Sequence, residues 1–167
     1  MFPVKAGRGG IMTTNMSTLV KTFAAVGAAA GAGSLATTPD DPWYEGLRKP
    51  PWQPPPWTFG VVWPVLYGMI AYGTGRAMDR APEGGRRAVA RALGVNLVLN
   101  TGWSWLFFGA RSPRAALAEI VALNASNAFL VRDAWRADRC AGALLLPYAG
   151  WTVFATLLNG EIVRRNL

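Results

Sequence analysis

WTFGVVWPVLYGMIAYGTG, Trp57 to Gly75, runs for 19 residues without a charged side chain. A helix of ~20 apolar residues, rising 1.5 Å each, crosses the ~30 Å hydrocarbon core of a bilayer. The stretch therefore predicts a membrane-crossing helix. Working outward, four more gaps in the charge pattern have similar length: Thr22 to Pro39, Ala92 to Ala110, Ala115 to Val131 (broken only by Glu119) and Cys140 to Gly160. A soluble bundle would show polar stripes at helical period, and these segments show few. Five spans in 167 residues leave no room for a separate soluble domain. The reading is an all-α, five-transmembrane-helix bundle with helices about 18–38, 57–75, 88–110, 113–131 and 140–163. A single membrane domain covers 18–167, and a disordered tail covers 1–17, with Met12 and Met16 as alternative starts. The first span also reads as a signal peptide, because Lys21 precedes a small-residue apolar run. Its length and the spacing Gly27-x-x-x-Gly31, which allows close helix packing, favour a retained helix.

The charge follows the same frame. Seventeen Lys and Arg face nine Asp and Glu, a formal +8. Eleven of the basic residues fall on one side of the five spans: Lys5, Arg8, Lys21, Arg76, Arg80, Arg86, Arg87, Arg91, Arg132, Arg136 and Arg139. Six fall on the other: Arg48, Lys49, Arg111, Arg114, Arg164 and Arg165. The positive-inside rule then places the amino terminus in the cytoplasm if the host is an inner membrane of a bacterial cell envelope. The basic charge is mostly topological, so no nucleic-acid partner is expected; that would need a basic face on a soluble domain. Ala90-x-x-x-Gly94 permits a homodimer through the third span.

There is no His and one Cys. That excludes, within this chain, a Cys/His zinc site, an iron–sulfur cluster, a His-based nucleophilic triad, haem on a proximal His and an internal disulfide. No carboxylate cluster suggests a metal; Asp40, Asp41 and Glu45 read as a solvated loop group. Between the first two spans, seven Pro fall within residues 39–56 and alternate with Trp43, Tyr44, Trp52 and Trp57. Proline fixes φ and removes a donor, so this segment is a stiff, partly extended loop. It folds down as a lid over the bundle or lies at the interface as an aromatic belt. Inside the spans, Asn96 and Asn100 share a face, as do Asn124 and Asn127, and Asn159 lies near the end of the fifth. Such amides tie helices together or orient a ligand in an apolar pocket. Glu119 is the one carboxyl group within a span, an intramembrane acid near its edge. Trp63 with Tyr67, and Tyr148 with Trp151, form two aromatic faces fit to enclose a flat hydrophobic ligand or simply to pack.

Four stretches in order carry a family resemblance. Trp43-Tyr44-Glu45-Gly46-Leu47-Arg48-Lys49-Pro50-Pro51-Trp52-Gln53-Pro54-Pro55-Pro56-Trp57-Thr58-Phe59 resembles the signature loop WYxxLxKPxxxPPxWxF of the TspO/MBR family. This family comprises the tryptophan-rich sensory proteins and the mitochondrial translocator proteins (peripheral-type benzodiazepine receptors). Val62 to Tyr67, Leu99 to Gly109 and Pro147 to Asn159 are similar to its later motifs. The resemblance covers about Leu19 to Asn166. It implies a five-helix membrane bundle, often homodimeric, with a pocket under the first loop that binds porphyrins. Matching pocket positions are Tyr44, Pro54, Trp63, Tyr67, Asn100, Trp103, Phe107, Tyr148, Trp151 and Ala155. It also links Trp63 and Trp151 to light-dependent porphyrin breakdown, which leaves enzyme-like photochemistry open without conventional catalysis. Some members bind sterols. Here Gly160 follows Asn159 where that motif needs an aromatic residue, so the sterol pattern is absent. The expected ligand is protoporphyrin IX in metal-free form, with no required cofactor, and a sensor or transporter role. A structural membrane protein without a ligand is the remaining alternative.

Overall fold

The computed structural model describes residues 14–167. Among them the secondary structure is entirely helical, in the order α1 (Met16–Ser34), α2 (Pro42–Glu45), α3 (Pro56–Arg80), α4 (Glu83–Ser104), a π turn (Trp105–Gly109), α5 (Pro113–Ala137) and α6 (Arg139–Arg165). Five of these helices are long; α2 is a single turn inside the proline-rich segment. Residues 1–13 of the expected tail, with Lys5 and Arg8, lie outside the described residues. The expected tail to Ser17 is shortened, because Asn15 caps α1 by accepting from the Ser17 N–H, and the helix begins at Met16.

Other boundaries also move. α3 continues to Arg80 instead of ending near Gly75, since Arg76 and Arg80 both reach Asp138 at 2.8 and 2.7 Å. The two arginines therefore stand on a helix and not in a loop. α5 likewise runs on to Ala137, and a single extended residue, Asp138, turns the chain into α6. Asp138 accepts from the Ala141 N–H, capping α6 while it holds both arginines. The Arg76 guanidinium, followed by the Ala141 N–H and Arg80, holds its carboxyl well below the usual carboxylate range. The third predicted helix starts earlier, at Glu83, and loses its α geometry at Trp105. There the chain widens into the π turn, and the Ala110 N–H bonds to Trp105 O, five residues back.

The long helices run up and down. At one end, Thr18 donates to Asp79 and Arg86 lies 3.7 Å from the same carboxylate, beside the Arg76–Arg80–Asp138 group. At the other end the 35–55 segment, the π turn, Arg111 and Asn166 meet. α5 packs along α6 and α4, and α1 rests on α3 and α4. Close approach uses glycines other than the expected pair: a Cβ at Gly73 would sit 3.2 Å from Ala141 O, and one at Gly142 would sit 2.8 Å from Trp135 Cα. Gly27, Gly31 and Gly94 meet nothing within 4 Å in this chain. The GxxxG spacing on α1 thus mediates no contact here.

Two helices among the described residues, α5 and α6, are long and apolar enough to cross a membrane by length and composition. The other long helices fall short of that measure: α4 carries Glu83, Arg86, Arg87 and Arg91, the charge-free part of α3 is rich in Trp, Tyr and Gly, and α1 is rich in Ala and Gly. The core is a layer of Leu66, Ile70, Val89, Leu93, Leu130 and Leu145, with a smaller satellite of Phe107, Ala116, Leu158 and Ile162 nearer the 35–55 segment.

Candidate functional site

The proline-rich segment is pinned to the end of the bundle at several points. Asp41 caps α2 by accepting from the Trp43 N–H at 2.8 Å, and its other oxygen takes Arg111 at 2.8 Å. The Trp43 N–H, with Arg111, lowers the Asp41 carboxyl below the usual range. Asp41 is therefore a cap and an ion-pair partner, not merely part of a solvated cluster. Arg111 itself adopts φ 50°, a left-handed conformation unusual outside glycine, where the π turn passes into α5. Further along, the Arg48 N–H donates to Asn166 Oδ1 at 2.9 Å, and Asn166 Nδ2 donates back to Arg48 O at 3.1 Å. The side chain of Asn166 thus imitates a paired strand. Lys49 places its ammonium 3.9 Å from the centre of the Tyr44 ring.

Aromatic rings fill the space beneath. Trp43 and Tyr44 pack edge-on against Phe107, which stacks on Trp103 at 5.0 Å and 22°. Next to this group, Trp52 meets Phe154, and Trp151 lies between Phe154 and Phe59 at 5.3 and 5.8 Å. Deeper, Trp63 stacks on Tyr67 at 5.2 Å and meets Tyr148 edge-on. Two prolines inside helices adjoin these rings, Pro64 after Trp63 and Pro147 before Tyr148. Each removes a helical donor and leaves the carbonyl four residues back, at Gly60 and Ala143, without that partner.

Of the predicted positions, Tyr44, Trp103 and Phe107 come together in the first ring group. Trp63, Tyr67, Asn100 and Tyr148 come together in the deepest, and Trp151 packs with Trp63 and Tyr67 against the same core layer. Pro54 and Ala155 are half-buried beside Gln53 and Phe154. Trp57 departs from the loop group: it is 70% exposed and faces outward. Phe59, Phe108 and Phe154 belong to the site and were missed; Phe59 stands four residues before Trp63 and Phe154 three after Trp151, which places each pair on one helical face.

The amides resolve as structural ties. Tyr67 Oη donates to Asn100 Oδ1 at 3.1 Å, Asn100 Nδ2 to Tyr148 Oη at 3.2 Å, and Tyr148 Oη to Asn96 Oδ1 at 3.0 Å. From there Asn96 Nδ2 donates to Asn127 Oδ1 at 2.6 Å and Asn127 Nδ2 to Thr152 Oγ1 at 2.7 Å. Thr152 Oγ1 then donates to Asn124 Oδ1 at 2.9 Å and Asn124 Nδ2 to Thr156 Oγ1 at 2.7 Å. Every link points the same way across α3, α4, α5 and α6. Asn159 likewise accepts from Trp103 Nε1 and donates to Pro113 O. Asn100 therefore has its carbonyl and one N–H already engaged. Against this saturation, Gln53 Oε1, Trp151 Nε1 and both carboxyl oxygens of Glu119 are buried without a hydrogen-bond partner. Among the described residues no three His, Cys, Asp or Glu side chains converge as metal ligands.

Residues 20–165 match the TspO/MBR family. The chain belongs to the TspO/MBR family. It is similar to the tryptophan-rich protein TspO of Archaeoglobus fulgidus, with 37% identity covering 91% of this chain and 99% of that protein. It is also similar to the tryptophan-rich sensory protein of Cereibacter sphaeroides, with 36% identity over 86% and 88%. The human translocator protein shares 35% identity over 74% of this chain and 75% of its own length. TspO/MBR proteins are membrane helical bundles, and the all-helical fold of this chain agrees with membership. The rings and pinned loop described above all lie inside the matched range.

Proposed function

We propose that this TspO/MBR protein crosses its membrane five times and binds a tetrapyrrole of the protoporphyrin IX type among the rings beneath the 35–55 segment, which acts as a lid. The amino terminus faces the cytoplasm, as the excess of Lys and Arg at that end favours, and two copies pair through α4. The observation that carries the ligand reading is the convergence of aromatic rings from the loop, α3, the π turn and α6 in adjoining groups, with the Trp151 N–H among them unpaired. Large flat apolar faces suit a macrocycle, and Lys49 at the loop supplies a cation suited to a propionate. Because the rings pack on one another in this state, entry requires the loop to lift. The role is that of a sensor or a carrier, in keeping with relatives named as sensory and translocator proteins.

The test is a titration of the purified protein with protoporphyrin IX, read by Trp fluorescence in detergent and in lipid. Saturable quenching is expected; its absence in both media overturns the assignment. A second reading, light-driven porphyrin breakdown, is favoured by the Trp63–Tyr67 stack at 29° and the bond from Tyr67 into Asn100. Under illumination the porphyrin Soret band should decay. Equal decay in the Trp63→Phe, Trp151→Phe double variant would remove that reading.

A further inference from the structure

The two halves of the 41–55 segment are fastened unequally. The first half is held along its length. Asp41 caps the α2 turn and pairs with Arg111 at 2.8 Å, and the Glu45 and Gly46 N–H groups donate back to Asp41 O and Pro42 O. Trp43, Tyr44 and Leu47 pack into the cluster around Phe107. Residues 48–55 have less. Among the described residues, their hydrogen bonds to the rest of the bundle are the two between Arg48 and Asn166, both at the surface. Their ring contact is Trp52 edge-on to Phe154 at 5.9 Å, and that indole is 47% exposed. Of residues 48–55 only Pro50 is buried. Pro50, Pro51, Pro54 and Pro55 stiffen the strip.

Asn166 is itself held in place to grip the strip. Its Nδ2 also donates to Ile162 O at 2.8 Å, in the last turns of α6, which orients the amide towards Arg48. Closure meanwhile carries a cost. Gln53 Oε1 is buried without a partner, and Gln53 Nε2 reaches only Tyr44 Oη, at 3.4 Å. A buried acceptor without a donor is costly, and lifting the strip returns it to water. Few contacts and water-exposed bonds mark a segment that opens locally without global unfolding.

We propose that residues 48–55 are the moving part of the loop, that Asn166 is the latch holding them shut, and that Gln53 biases them open. The two residues then set how fast a ligand enters and leaves the ring groups. The ligand rests on the porphyrin reading above; the latch does not. Because the strip opens before a ligand passes in either direction, the open population multiplies both rates and cancels from the affinity.

The intact protein is compared as wild type, Asn166→Ala and Gln53→Leu. Protoporphyrin IX association and release are followed by stopped-flow Trp quenching. The ligand-free protein is treated with trypsin, and cleavage after Arg48 is timed against cleavage after Arg111. Slow cleavage follows the open population. Asn166→Ala is expected to raise both ligand rates and Arg48 cleavage about tenfold, as loss of two exposed neutral hydrogen bonds allows. Its affinity should stay within about twofold of wild type, since both rates move together. Gln53→Leu removes the orphan and should slow both ligand rates and Arg48 cleavage about threefold. Unchanged rates and cleavage in Asn166→Ala overturn the proposal. So does an Asn166→Ala protein whose affinity drops with association unchanged, or whose Arg111 cleavage rises in step with Arg48. Faster exchange in Gln53→Leu removes the bias assigned to that residue. If protoporphyrin IX gives no saturable quenching, the porphyrin reading falls and Arg48 cleavage alone decides the latch.

Discussion

The hydrogen-bond chain from Tyr67 to Thr156 and the orphaned atoms of Glu119 and Trp151 in the helices and Gln53 in the loop lie in one molecule, yet the fold treats them in opposite ways. In the chain, each donor finds an acceptor on another helix within 2.6 to 3.2 Å. In the trio, Gln53 Oε1, both Glu119 oxygens and Trp151 Nε1 are buried without a partner. A bundle that can align Asn96, Asn100, Asn124 and Asn127 so completely has the means to satisfy three more groups. That it does not do so separates polar residues that tie helices together from buried polar atoms that the fold leaves unbonded. The difference also divides the aromatic residues: Trp103 donates to Asn159 and Trp105 to Ala32 O, so both indoles are structural, whereas the Trp151 indole is uncommitted.

The strongest way to break the contrast is to cut the chain at its middle. Asn96→Leu leaves the Tyr148 hydroxyl without its acceptor and Asn127 Oδ1 without its donor. We expect a loss of about 2–3 kcal/mol in unfolding measured in detergent. A second test sets the paired carboxyl Asp138 beside the unpaired Glu119. Because the arginines lower Asp138 in the folded state, its stabilisation is present above its unfolded value of ~3.9 and is lost as pH falls below that. The melting temperature of wild type should therefore drop as pH falls from about 4 towards 2. Asp138→Asn should start lower at pH 7 and show a smaller drop over that acid range. Trp151→Phe goes the other way, since it removes an orphaned N–H. Ligand-free stability should stay level or rise by up to ~1 kcal/mol, while protoporphyrin IX binding weakens. The smallest effect belongs to Trp57→Leu. This exposed ring lies outside the site, and both stability and quenching should stay within ~0.5 kcal/mol of wild type.

Much of the fold could be read from the chain because each long gap in charge overlaps one long helix, although α3, α5 and α6 run past their gaps into charged turns. The five gaps correspond to the five long helices, and the aromatic positions around Trp63, Trp103 and Trp151 come together as their helical spacing suggests. The failures have local causes. Arg76 and Arg80 were placed in a loop because charge marks the end of an apolar run, but their long stems reach Asp138 from the last turns of α3. The π turn at Trp105–Gly109 inserts one extra residue into a helical repeat, which leaves no compositional trace. Gly27 and Gly31 suggested close packing, yet the contact-making glycines are Gly73, Gly75 and Gly142, where tertiary arrangement brings other helices within reach. Whether an asparagine is a tie or a ligand contact depends on what stands opposite it. For Asn96 and Asn100 that is Asn127 and Tyr148, far away in sequence.

The clip between Arg48 and Asn166 joins residues 118 positions apart. A ribosome adding 5–20 residues per second takes roughly 6–24 s to make the second after the first. Throughout that interval the proline- and tryptophan-rich segment exists without its fastening, and helices that will lie beneath it are still being inserted. The clip therefore sets an order of events in biosynthesis. The Asp41–Arg111 pair and the rings packed on Phe107 need no residue beyond 111, so the Asn166 clip is the last fastening of the loop to be supplied, added when the end of α6 has emerged.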